Sequence, residues 1–290
     1  MEYTLKNSKV TAVIAGMGAE LRSLKSADGT EYLWQGDTKY WKDRAPNLFP
    51  IVGRLTQGKY TYKGKTYEMT IHGFARNSEF EVIETGNDRI VFVLNENAET
   101  FKCYPFKFRF TVTYTLTGDT LYTEYGVTNT GDSELIASAG GHPGFNVPFG
   151  GEGKFEDWYL EFEPKRDAKE IILSAACFIT DDTKPFKLQD GRLPLKHSLF
   201  DNDAIVLADM PETVTLKSDI SKRAVKVGYP GMKYLGLWHK PKTDAPYICI
   251  EPWASLPSYD GVVCDFDTKR DMAKIKPNET YSVGYSIGIS

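Results

Sequence analysis

The chain is poor in the residues that mark the commonest functional classes. It has four histidines and four cysteines in 290 residues. It has no basic surplus: 35 Lys and Arg against 39 Asp and Glu give a formal charge of −4. Without a Lys/Arg-rich run or stripe there is no electrostatic case for a nucleic-acid partner. The first residues, Met1 to Lys6, lack the apolar run of a secretory leader. No segment approaches the length of a membrane span, so a cytoplasmic protein with no membrane partner is expected. Cys103, Cys177, Cys249 and Cys264 are scattered, with no C-x-x-C pair, so neither a disulfide framework nor a cysteine metal site is expected. Cys249, inside Tyr247-Ile248-Cys249-Ile250, reads as a small buried apolar residue. No two histidines stand at H-x-H or H-x-x-x-H spacing, so no metal is expected either. The nucleophile-elbow, phosphate-loop and dinucleotide-fingerprint motifs are all missing. Acyl transfer, nucleotide hydrolysis and hydride transfer therefore have no support, and no cofactor is expected.

Helical periodicity is nearly absent too; only Thr38 to Arg44 and Asn95 to Lys102 read as short helices. Strand-like alternation fills the rest. Phe106 to Asn129 divides at Gly118-Asp119 into two long strands. Lys63-Gly64 joins a hairpin of residues 59–62 and 65–68. Gly86-Asn87-Asp88 joins residues 80–83 to 89–93, and Asp28-Gly29 offers another turn. Residues 158–162, 204–207, 214–216, 224–227 and 281–287 continue the pattern. Aromatic residues make up 13% of the chain, which suits pleated surfaces. No linker or composition break divides the sequence. The expectation is one all-β domain over residues 1–290, a large antiparallel sandwich of two sheets with a concave face for a small ligand.

Two stretches carry candidate chemistry. Gly140-Gly141-His142-Pro143-Gly144-Phe145-Asn146 holds a histidine in a turn whose backbone path glycine and proline fix. Ile250-Glu251-Pro252-Trp253 ends an apolar strand on a carboxylate beside an aromatic platform for a sugar ring. Period two places Tyr247, Cys249 and Glu251 on one face, and Leu235, Leu237 and His239 on the face opposite Gly236 and Trp238. A glutamate continuing an apolar face is either a base in a pocket or a buried partner of an arginine. His72 reads as the end of a strand and as either a structural or a site histidine. His197 and His239 read as structural. Arg54, among apolar neighbours beside Gly53, either forks onto sugar hydroxyls or bridges strands. Asn47 offers a second polar contact, and Arg76 follows the His72 turn. Asp201, Asn202 and Asp203 form a polar cluster that reads either as a turn or as the source of an acid that holds a sugar hydroxyl.

Asn47 to Arg54, His72-Gly73-Phe74-Ala75-Arg76, Gly141 to Asn146 and Glu251-Pro252-Trp253 occur in the order seen in the aldose 1-epimerases. Within that family the chain resembles the bacterial LacX-type branch. The motifs span most of the sequence, and their combination is more specific than any one of them. The resemblance implies a β-supersandwich. It implies Glu251 as general base, His142 as general acid, and His72 and Arg54 as sugar-positioning residues. It also implies a hydroxyl-binding acid at Asp203, with Asp201 also fitting. The galactose-specific members usually have His-Gly-Gly where this chain has His72-Gly73-Phe74-Ala75-Arg76. The longer form resembles the hexose-6-phosphate mutarotases, in which this arginine helps bind phosphate.

Anomer exchange suits such residues. A proton leaves the C1 hydroxyl while another reaches the ring oxygen; the ring opens, the C1–C2 bond turns, and the aldehyde recloses from its other face. The expected partner is a sugar or sugar phosphate, and the expected assembly a monomer or homodimer. A glycosidase would need two carboxylates, and only one stands out. A non-catalytic carbohydrate-binding protein on the same fold is the alternative from another class.

Overall fold

A computed structural model describes residues 1–290. Two large antiparallel sheets dominate. The first has nine strands in the order 192–194, 158–162, 213–218, 225–228, 280–289, 120–129, 108–117, 89–95 and 81–85. The second runs 179–186, 168–173, 205–208, 234–238, 247–253, 140–141 and 47–48, with 144–146 also paired to 247–253. No helix is long and apolar enough to cross a membrane.

Alternation explains the sandwich. In Phe108–Thr117 the residues Phe108, Phe110, Val112, Tyr114 and Leu116 are buried on one face. Its neighbour Thr120–Asn129 buries Leu121, Thr123, Tyr125 and Val127. These side chains meet Leu235, Leu237, Ile248 and Ile250 of the second sheet in a continuous core of 65 buried residues. Each such large apolar side chain contributes roughly 1.5–3 kcal/mol on burial. Phe49 stacks on Phe110 at 4.1 Å and ties the short Asn47–Leu48 strand to this core.

The other face of the second sheet is what positions the site. Tyr247, Cys249, Glu251 and Trp253 alternate with the core residues and point away from the first sheet. Val206, Tyr234 and Trp253 form one small apolar cluster there; Trp34, Tyr247 and Cys249 form another.

The expected helix at Asn95 to Lys102 forms at Ala98–Cys103, with Asn97 capping it and Thr100 completing the box. The one expected at Thr38 to Arg44 does not form. Its first residues make a single turn whose Tyr40 and Trp41 amides donate to the Asp37 carbonyl. Trp41 then packs, half-buried, against His142 and Trp238, and a segment this short has little helical stability of its own to set against those contacts. His72 does not end a strand: that strand stops at Glu68, and His72 sits in a turn at φ +63.

Candidate active site

His142 and Glu251 come from adjacent strands. Gly140 pairs with Trp253, Gly144 pairs with Cys249, and the Ile250 amide donates to the Pro143 carbonyl at 3.1 Å between them. The Gly-Gly-His-Pro-Gly loop therefore folds back along the glutamate strand. On its other side the His142 amide donates to the Pro46 carbonyl at 3.2 Å. This double anchoring brings His142 Nε2 to 3.1 Å from Glu251 Oε2. Glu251 Oε2 and His142 Nδ1 are nonetheless buried without an aligned hydrogen bond.

Both groups are deeply buried, at 8% and 1% exposure. Burial penalises the charged form of each. It lowers His142 to about 3, with the Arg76 guanidinium adding to the fall. It raises Glu251 well above its ordinary value, although the nearby Trp253 indole and Arg76 favour the carboxylate. The pair thus holds one proton between two atoms 3.1 Å apart.

An aromatic cage surrounds the imidazole. Trp41 stacks on His142 at 4.8 Å and 28°, Trp238 meets it edge-on at 5.8 Å, and His72 meets it at 5.5 Å and 85°. His72 is fixed by the Gly53 amide, which donates to its Nδ1 at 3.1 Å. The proton of neutral His72 must then sit on Nε2. Burial first, and then His142, Arg76 and Arg54, hold His72 well below its usual range, so it stays neutral. Gly53 has φ +74, and a Cβ there would lie 2.4 Å from Pro257 Cγ. Only glycine fits where that amide must approach.

These residues line a cavity of about 280 Å³, near the lower end of small-ligand pockets. Arg54, His72, Arg76, His142, Asp203 and Glu251 all border it. Arg54 is exposed at the mouth, and its guanidinium makes a single hydrogen bond, a 3.3 Å donation to the Ala176 carbonyl. Arg76 is ion-paired with Asp43, a partner that sequence reasoning missed. Asp203 Oδ2 accepts from the Cys177 thiol at 3.1 Å; Asp201 borders a neighbouring groove instead.

Asn47 corrects the sequence reading. It does not border the cavity. Its amide donates to the carbonyls of Gly18 and Ala19, and its Oδ1 accepts from the Tyr125 hydroxyl at 2.7 Å. A buried amide with its bonds satisfied inside the core has nothing left for a ligand. His197 and His239 lie elsewhere, hydrogen-bonded to each other at 3.2 Å.

Trp41, Trp238 and Cys177 border the cavity without having been nominated. Trp238 was discernible, since alternation sets it on the face opposite Leu235 and Leu237. Trp41 had no such signal. Trp253 borders the cavity but is largely covered, its indole packed over Gly236. Cys249 lies beneath the pair; its Sγ and the donor atoms of His142 and Glu251 are all within 4.8 Å of one another.

A sequence model of the aldose 1-epimerases matches residues 1–283. The LacX protein of Lactococcus lactis is 33% identical over 298 aligned residues, covering 100% of this chain and 99% of the relative. A galactose mutarotase related enzyme from Lactobacillus acidophilus superposes with a TM-score of 0.96 at 37% identity, covering 100% of this chain and 97% of that one. A galactose mutarotase-like protein from Lactobacillus casei gives 0.94 at 33% identity, with both chains fully covered. The chain belongs to the aldose 1-epimerase family and has its mutarotase-like all-β fold.

Proposed function

We propose that this member of the aldose 1-epimerase family interconverts the α and β anomers of a hexose, with Glu251 as base and His142 as acid. The observation that carries the proposal is the 3.1 Å approach of His142 Nε2 to Glu251 Oε2 on the wall of a sugar-sized cavity. Between them the two groups hold one proton. Shifted onto the imidazole, it leaves a carboxylate to take the C1 hydroxyl proton and an imidazolium to protonate the ring oxygen. The ring opens to the aldehyde, the C1–C2 bond turns, and the transfers run in reverse. Each transfer is worth about 10²–10⁴ in rate. His72 Nε2–H and Arg54 donate to sugar oxygens, Asp203 accepts from a hydroxyl, and the Trp41 and Trp238 rings exclude water around the imidazole.

The sugar is read as neutral. The Arg76 charge, the one suited to a phosphate, is already met by Asp43. A non-catalytic binder is disfavoured because it gains nothing from a buried acid–base pair that destabilises the fold. Polarimetry on glucose, galactose and their 6-phosphates tests both points. Faster anomer exchange of a free hexose than of its 6-phosphate is expected. Turnover confined to the 6-phosphates would overturn the neutral-sugar reading, and no acceleration of any of the four would overturn the enzyme.

A further inference from the structure

We infer that Cys249, His142 and Glu251 form a three-donor site for a borderline-soft divalent cation such as Zn²⁺, and that a cation there blocks the acid–base pair. Binding by itself does not depend on the proposed function; only the inhibition does.

The three donors come from two adjoining strand segments. Cys249 and Glu251 are two residues apart on one face, and the His142 loop pairs alongside them. Their donor atoms lie within 4.8 Å of one another. A tetrahedral zinc site with bonds of about 2.0–2.3 Å needs donors about 3.3–3.7 Å apart, so side-chain rotations of roughly 1 Å close it. His142 Nε2 and Glu251 Oε2, at 3.1 Å, are already that near. Glu251 Oε2 is buried without a hydrogen-bond partner, so it has coordinating capacity that the fold leaves unused. The cavity provides a fourth position for water or a sugar hydroxyl. Local histidine spacing cannot reveal such a site, because one ligand lies over a hundred residues from the other two.

Charge favours the cation. Zn²⁺ with one thiolate and one carboxylate is neutral overall, which suits a buried floor far better than any charged state of the metal-free residues. The thiolate selects Zn²⁺ over Mg²⁺ or Ca²⁺. Burial raises both the Cys249 thiol and Glu251 above their usual ranges, which favours their protonated forms, and a cation takes the place of those protons. Binding therefore follows M²⁺ + RSH + R′COOH + imidazole → M(RS)(R′COO)(imidazole) + 2 H⁺. The charged and titratable groups facing this floor are His72, Asp43, Arg76, Asp203 and Tyr247.

Co²⁺ is the probe, titrated into the metal-free full-length protein. One equivalent should bind with a thiolate-to-cobalt charge-transfer band in the near ultraviolet, and Zn²⁺ should displace it. Cys249→Ala should abolish the band and weaken binding by at least about tenfold. Cys249→Ser, nearly isosteric, should do the same should the alanine variant fold poorly. Cys103→Ala, remote from the cavity, should leave the band intact. Calorimetry in buffers of different ionisation enthalpy should report about two protons released per ion. A band that survives both Cys249 variants, or no stoichiometric binding, overturns the site. Mutarotation of the metal-free wild type tests the enzyme separately. If that activity exists, equimolar Zn²⁺ should suppress it in the wild type and not in Cys249→Ala; equal suppression in both would overturn the block at this site.

Discussion

Replacing one member of the buried pair should expose a pH dependence of stability that the other member now cancels. The signs follow from linkage. Glu251 is raised in the folded state, so its contribution is fully present below its ordinary value of 4.5 and is lost as pH rises through the raised one. His142 is depressed from 6.5 to about 3, so its contribution is present above 6.5 and lost as pH falls toward 3. Between about 4.5 and 6.5 the folded pair holds one proton, mainly on the carboxyl. The unfolded pair also holds about one, mainly on the imidazole. Equal proton counts give a nearly flat contribution. Glu251→Gln removes one side of this balance. Stability of that variant should then fall with acidification by about 1.4 kcal/mol per pH unit, or about 2 kcal/mol from pH 6.5 to 5, relative to wild type. His142→Asn should tilt the other way, losing up to about 3 kcal/mol between pH 5 and 7. Urea denaturation at four or five pH values measures both, and only slopes are compared, so a constant offset from lost packing does not matter. A flat curve for Glu251→Gln would show that burial does not hold His142 neutral, and the one-proton pair would be refuted.

Glu251→Gln should lower mutarotation at least about a hundredfold, or roughly 2.7 kcal/mol, with little change in sugar affinity. His142→Asn should cost a similar factor, and the double variant less than the product, because the two act in one step; near wild-type polarimetry in Glu251→Gln would remove the assigned base. Asp43→Asn frees Arg76 and should improve kcat/KM for a hexose 6-phosphate relative to the free hexose, whereas Arg76→Ala should worsen it; equal effects on both substrates would make the ion pair purely structural. At Gly236 an added Cβ would stand 2.8 Å from Trp253 Cζ2. Gly236→Ala should therefore displace the indole, alter tryptophan fluorescence, cost about 1–3 kcal/mol of stability and reduce turnover; unchanged fluorescence and activity would show that the ring has room to move.

What could be read from the sequence was whatever depends on near neighbours. The long pair Phe108–Thr117 and Thr120–Asn129 announces itself by alternation, because one face meets a core and the other water. The facing of Cys249 and Glu251 follows from the same period of two. The two-residue strands Asn47–Leu48 and Gly140–Gly141 carry no period at all, since their pairing is set by partners far along the chain. Ile179–Phe186 is exposed over most of its length, so no apolar face marks it. Asn47 was misassigned for a related reason: its partners Gly18, Ala19 and Tyr125 are all distant in sequence. Arg76 stands 33 residues from Asp43, and nothing local signals their pairing. The family motifs named the residues that border the cavity, but not which of their charges are already met.

The burial that opposes stability also sets the working range of the site. A freely exposed carboxyl and imidazole share one proton only between their ordinary values, 4.5 and 6.5. Below that interval there are two protons and no acceptor; above it there are none and no donor. Lowering His142 to about 3 extends the one-proton range downward, and raising Glu251 extends it upward. Within the widened range the pair always has one donor and one acceptor, and moving the proton across 3.1 Å exchanges the roles. A reversible reaction whose forward and return halves need opposite roles gains from that exchange. The pH profile of anomer exchange should accordingly be a broad bell, both limbs lying outside the interval from 4.5 to 6.5 and belonging to the coupled pair. A narrow bell with limbs at those ordinary values would mean that the pair is solvated during turnover and that burial plays no part in the chemistry.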